Sequence, residues 1–154
     1  VALFGHTGFE WDLTVTSSDE RADLRRWVAL AKSVRALVHA GDLVRVDRPV
    51  DDGTALYGVV AAHRHREALF NFVRLRTSPR YGATPLVFPG LDPHLRYRVE
   101  RVALPGEYRP LHGPPMLAPS ADVIALGSVL SNAGIEAPTL LPEQAAIYHL
   151  QARA

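Results

Sequence analysis

Glu67-Ala68-Leu69-Phe70-Asn71-Phe72-Val73-Arg74-Leu75 is the stretch that decides how this chain folds. In extended backbone successive side chains alternate, so Phe70 and Phe72 point one way and Leu69, Val73 and Leu75 the other. Both directions are apolar, as in a central strand covered on two sides. A free-standing sandwich strand with a wet outer face would alternate more cleanly. Ala55 to Ala62 reads as a second strand, and the polar connection His63-Arg64-His65-Arg66 makes the two a hairpin.

Working outward toward the start, Val44 and Val46 alternate with Arg45 and Asp47, a strand ended by Pro49 and the turn Asp51-Asp52-Gly53. Before it, Ser17 with Glu20 three residues later forms a capping box, and Ser18 and Asp19 add acceptors. Leu24, Trp27, Val28, Ala31, Val34, Leu37 and Val38 recur at helical spacing, with Arg21, Arg25, Arg26, Lys32 and Arg35 mostly on the other side. Gly41 closes this helix, predicted over Ser18–Ala40. The opening Val1-Ala2-Leu3-Phe4 is a continuous apolar run, as in a buried strand of a parallel sheet. It begins without a methionine and inside that run, which suggests a piece of something longer.

Toward the end, Pro85 to Phe88 reads as a short fourth strand and Pro89-Gly90-Leu91-Asp92-Pro93 as a turn. Leu95, Tyr97 and Val99 alternate with Arg96, Arg98 and Glu100, a half-buried strand. Leu104 to Ser120 is rich in Pro and Gly and reads as a long loop. Gly127 to Ala133 reads as a short helix ended by Gly134, and Gln144 to Gln151 as the last strand. The expected class is mainly β: an antiparallel, Greek-key-like β-sandwich over residues 42–154. Residues 1–41, a buried strand, a glycine loop and one long amphipathic helix, read as the closing βα unit of a parallel α/β fold.

The 154 residues fit one domain, and Lys+Arg 17 against Asp+Glu 16 leaves almost no net charge. A phosphate-binding surface normally shows a basic surplus or stripe, and the composition shows none, which argues against nucleic acid. With no cysteine, disulfides, thiolate zinc sites and cysteine nucleophiles are excluded. No apolar run is long enough to span a bilayer and no signal-peptide pattern opens the chain, so a cytoplasmic setting is expected.

Only Phe4-Gly5-His6-Thr7-Gly8-Phe9-Glu10-Trp11-Asp12-Leu13 is dense in residues that folding does not require. Glu10 and Asp12 invite the reading of a retaining glycosidase pair, which needs two carboxyl groups about 5 Å apart. The favoured alternative is that they anchor a loop by accepting backbone N–H bonds, because barrel catalytic pairs come from different strand ends. His63-x-His65 has a spacing seen in metal sites, but lies in a turn flanked by arginines, which disfavours a cation. His149 reads as a satisfied core histidine, Ser128 and Ser131 lack a nucleophile elbow, and Tyr57, Phe70, Phe72 and Tyr97 read as core in preference to sugar platforms. No catalytic residue, metal ligand or cofactor site is assigned.

The opening stretch resembles the end of the catalytic barrel in α-galactosidases of glycoside hydrolase family 36, whose pattern Phe-Gly-x-x-Gly-x-Glu-x-Asp is met by Phe4, Gly5, Gly8, Glu10 and Asp12. The resemblance continues through Trp27, Lys32, Arg35 and Gly41, through Gly90-Leu91-Asp92-Pro93 with Tyr97, and through Gly127, Leu130, Gly134 and Gln144. It implies the last strand and helix of a (β/α)8 barrel followed by the family's small C-terminal β domain. It also implies that Gly5, His6, Gly8, Glu10 and Asp12 form a loop near the substrate. The family's two catalytic aspartates lie on earlier strands, one in a Lys-x-Asp motif, whereas Lys32 is followed by Ser33 and Val34. The implied parent hydrolyses terminal α-galactosides by double displacement without a metal, and the implied partners of this chain are the rest of that barrel and further copies of the parent. Two other readings compete: a non-catalytic carbohydrate-binding or structural β-sandwich, and a small independent hydrolase using Glu10 and Asp12.

Overall fold

The computed structural model describes residues 2–5, 7–8, 10, 12–49, 52–78, 84–102 and 123–153. One long helix, α1 (Ser18–Ala40), precedes strands β1 (Asp42–Val46), β2 (Thr54–Val60), β3 (Glu67–Arg74), β4 (Arg96–Arg101) and β5 (Val123–Leu126). A short helix, α2 (Gly127–Asn132), leads to the last strand, β6 (Ala145–Arg153). The strands form a single antiparallel sheet in the order β1-β2-β3-β6-β4-β5.

α1 starts where the capping box places it. The Ser17 hydroxyl accepts from the Glu20 amide at 3.2 Å, and the Ser17 amide donates to the Glu20 carboxylate at 2.7 Å, satisfying two of the donors that a helix leaves open. The helix ends at Gly41, whose amide donates to the Leu37 carbonyl at 2.8 Å. A side chain at Gly41 is excluded by crowding, since a Cβ there would lie 2.4 Å from Val59 Cγ1 and 2.7 Å from the Val60 carbonyl. Only a bare backbone lets the helix come down this close to β2.

The central position read from Glu67–Leu75 is realised in β3, which pairs with β2 on one side and β6 on the other. Its even-numbered side chains, Ala68, Phe70 and Phe72, join Leu56, Tyr97, Tyr148 and Leu150 in the larger core. Leu69, on the odd-numbered face, packs with Val59 and Ile147 beneath Val34 and Leu37 of α1. The far side of the larger core is closed by Leu86, Phe88, Leu91, Leu130 and Leu140, all from irregular segments or α2. The second sheet expected of a sandwich is not among the described residues.

Two expected strands take other forms. Ala2–Phe4 makes a single 3-10 turn, because no neighbouring strand among the described residues offers it a ladder and the turn closes its bonds locally. Leu3 nevertheless reaches the core under α1 at 7% exposure. Pro85–Phe88 contributes one bridge, with Leu86 and Ile135 exchanging bonds of 2.8 and 3.0 Å. It cannot extend, because the Phe88 amide donates to Leu130 and the Phe88 carbonyl accepts from the Ser131 hydroxyl, so both groups are spent on α2. β5 was not anticipated, and the loop expected over Leu104–Ser120 lies outside the described residues.

An ion pair sits inside the connection between β1 and β2. Arg48 Nη2 lies 3.1 Å from Asp52 Oδ2, with side-chain exposures of 3% and 1%. The guanidinium also donates to Thr54 Oγ1 and to the carbonyls of Thr84 and Pro85, and stacks 5.3 Å over the Phe72 ring. Burial pushes the Arg48 pKa down, opposed by the Asp52 charge, so Asp52 is what keeps a desolvated cation tolerable. Replacing Asp52 with Ala should therefore cost about 3–5 kcal/mol by stranding the guanidinium. The double replacement Arg48→Met with Asp52→Ala should recover much of that loss. Urea unfolding of both variants checks the pair, and a single replacement without effect would contradict it.

Candidate functional site

In the loop before α1 the Asp12 carboxylate is bound to its own chain. His6 lies outside the described residues, while Gly5, Gly8, Glu10 and Asp12 are exposed. The Asp12 carboxylate accepts from the Thr14 hydroxyl at 2.6 Å and from the Thr14 amide at 2.9 Å. It thereby caps a short 3-10 turn, Leu13–Val15. These two bonds hold the Asp12 carboxyl below its usual range, the hydroxyl contributing most. That is the geometry of a loop anchor, with acceptor capacity turned inward to its own backbone.

The remaining candidates resolve into structural contacts. His63 and His65 are exposed in the β2–β3 turn, where Arg64 and His65 adopt positive φ values of 65° and 46°. Tyr97 holds that turn from inside the core: its hydroxyl donates to the His65 carbonyl at 2.6 Å and accepts from the Asp92 amide at 2.9 Å. His149 Nε2 meets Glu67 Oε1 at 2.8 Å across the β3–β6 pairing. The Tyr57 hydroxyl accepts from Asn71 at 2.7 Å, and the Tyr57 ring meets Phe4 edge-on at 5.2 Å. Among the described residues no three His, Asp or Glu side chains lie together as metal ligands would. No described helix is long and apolar enough to cross a membrane.

What the sequence reading missed is space. A cleft of about 390 Å³ runs between the opening loop and α1, lined by Leu3, Gly5, Thr7, Lys32, Arg35 and His39 among others. A second, of about 480 Å³, continues along the first half of the helix between Leu13, Leu24, Arg25 and Val28. A third, of about 700 Å³, opens over β1 and β2 beside Phe4, Arg45, Asp47, Thr54 and Tyr57. The apolar stripe of α1 seals the sheet only through its second half: Val34 and Leu37 are buried, whereas Leu24 and Val28 border the second cleft.

The described residues thus form an antiparallel six-stranded sheet with one long helix packed on one face. Residues 55–150 match the glycosyl hydrolase family 36 C-terminal domain, and the chain belongs to that family. An α-galactosidase of Escherichia coli is 34% identical over 97% of this chain and 22% of its own length. Among solved structures, the α-galactosidase from Lactobacillus brevis superposes with a TM-score of 0.78 at 25% identity, over 99% of this chain and 19% of that one. The α-galactosidase AgaA from Geobacillus stearothermophilus gives 0.76 at 25% identity, over 99% and 18%. The chain thus spans about a fifth of the length of these relatives.

The Asp12 cap has a pH signature. A carboxyl held low in the folded state adds its stability fully above the ordinary carboxylate range, and loses it as pH falls through the lowered value. The Thr14 amide resonance should therefore titrate below the ordinary aspartate value of about 3.9. In Asp12→Asn this titration should vanish and the unfolding midpoint at neutral pH should fall slightly. Titration at or above the ordinary value would contradict the cap.

Proposed function

We propose that this chain is the closing portion of a retaining α-galactosidase and serves it as a structural, stabilising domain. Residues 1–41 would supply the end of the catalytic barrel and residues 42–154 the C-terminal β domain. The observation that supports this reading best is the extent of the likeness to the Escherichia coli enzyme. It runs over 97% of the chain, well beyond the domain match at 55–150, and so takes in α1 and the loop before it. A helix whose apolar stripe is only partly buried against its own sheet has a reason to exist if a barrel lies against the remainder. The parent would hydrolyse terminal α-D-galactosides, with both catalytic aspartates outside this chain, and Gly5, His6, Gly8, Glu10 and Asp12 would shape the rim of its site. Barrel active sites are built on such strand-to-helix loops. The setting proposed for the parent is cytoplasmic.

One observation favours a second reading, a carbohydrate-binding module. The cleft over β1 and β2 brings the Tyr57 ring together with Arg45, Asp47 and Thr54, an aromatic surface with polar neighbours of the kind that receives sugars. Two measurements separate the readings. Incubated alone with p-nitrophenyl α-D-galactoside, the chain should release no nitrophenol above the buffer rate. Turnover would instead make it a hydrolase in its own right. Calorimetric titration with raffinose should give no heat of binding, and saturable heat abolished by Tyr57→Ala would establish the binding module.

A further inference from the structure

Positions 21, 25, 28, 32, 35 and 39 of α1 are separated by alternating steps of four and three, so they lie along one face of the helix. Five of the six are basic: Arg21, Arg25, Lys32, Arg35 and His39, with Val28 in the middle. The two clefts that border α1 share Val28 and Lys32 and form one groove along this stripe. At 1.5 Å per residue, Arg21 to His39 is about 27 Å of helix. The groove has an apolar floor, to which Leu3, Leu24, Val28 and Val38 contribute, and one wall made by the opening loop at Gly5 and Thr7.

Three cations on its rim, Arg25, Lys32 and Arg35, have no carboxylate partner among the described residues. Arg21 donates to the Thr16 carbonyl and His39 has a contact of its own. Of the three acids of the same helix, Glu20 is committed in the cap and Asp23 to Arg26 at 3.4 Å, while Asp19 stands in the first turn beside the cap. Like charges aligned along a groove repel one another, and an apolar floor beside them gains by being covered. What satisfies both is an element with an apolar stripe and flanking carboxylates, long enough to follow the groove. A phosphate backbone would meet the cations but has no stripe to fill the floor, and a flat bilayer surface cannot pass the wall that Gly5 and Thr7 contribute.

We propose that this groove is the seat of an acidic amphipathic α-helix lying alongside α1. This deepens the docking role proposed above and rests on it: in the parent, the helix would belong to the neighbouring part of the barrel. Recognition would follow the helix-in-groove mode, apolar side chains on the floor and glutamates or aspartates on the basic rim.

The probe is a synthetic helical peptide of about eighteen residues, leucine at i, i+3, i+4 and i+7 and glutamate on the flanks, titrated into the chain under NMR observation. The expected result is saturable shifts confined to α1 and the 3–7 loop, weakened at least about tenfold in Arg25→Glu/Lys32→Glu/Arg35→Glu and unchanged in Arg26→Glu/Arg64→Glu. The same peptide with lysine in place of glutamate should not bind the unsubstituted chain, which keeps the test decisive if the triple variant fails to fold. Equal binding of both peptides, no shifts on α1, or binding only to phosphatidylglycerol vesicles would overturn the proposal. The titration reads the groove alone, so it can fail while the galactosidase reading stands, and the hydrolysis assay can fail while the groove binds.

Discussion

The last strand holds the sheet together. β6 pairs along one edge with β3, from Ala145 opposite Val73 to Gln151 opposite Glu67, and along the other with β4, from Tyr148 opposite Arg101 to Arg153 opposite Arg96. Without it, β1-β2-β3 and β4-β5 are separate ribbons, each with an open edge and one uncovered face. Both cores depend on the same insertion. Tyr148 and Leu150 complete the larger one around Phe70 and Phe88, and Ile147 supplies the floor on which Val34 and Leu37 of α1 rest. The pairing is also the most distant in sequence, which makes it the step that loop entropy opposes most strongly.

That dependence explains which parts of the fold could be read from residues. Local signals were dependable. The capping box, the α1 stripe, the two apolar faces of β3 and the alternation of Tyr97 and Val99 appear in the structure as their chemistry requires, except that β3 ends at Arg74 and leaves Leu75 exposed. Strand order was not legible, because no local pattern in Gln144–Gln151 says that it separates two hairpins. Val123–Leu126 escaped notice because its apolar residues run directly into those of α2, where neither periodicity stands out. Ala2–Phe4 and Pro85–Phe88 failed as strands for a related reason: an apolar run becomes a strand only where a neighbour offers a ladder.

The site was legible in composition and not in role. Glu10 and Asp12 stand where a carboxylate pair was conceivable, and Asp12 spends its oxygens on Thr14. Tyr97 read as core and is core, but the two bonds by which its hydroxyl ties the β2–β3 turn to the Asp92 turn follow from tertiary contacts alone. Arg48 and Asp52, only four residues apart, carried no signal as a buried pair, because burial is decided by the Thr84–Pro85 segment folding over them. The groove along α1 follows the spacing of its basic residues, which the pattern alone sets mostly opposite the apolar stripe.

The proposed role is that helix and sheet act as one closing unit of a family 36 galactosidase. The most direct measurement replaces the aligned segment of the Escherichia coli α-galactosidase with this chain, and compares the product with the same enzyme truncated before that segment. The account predicts that the chimera folds and hydrolyses p-nitrophenyl α-D-galactoside, whereas the truncated enzyme loses both stability and activity. A truncated enzyme as stable and active as the intact one, or a folded chimera without activity, would contradict it.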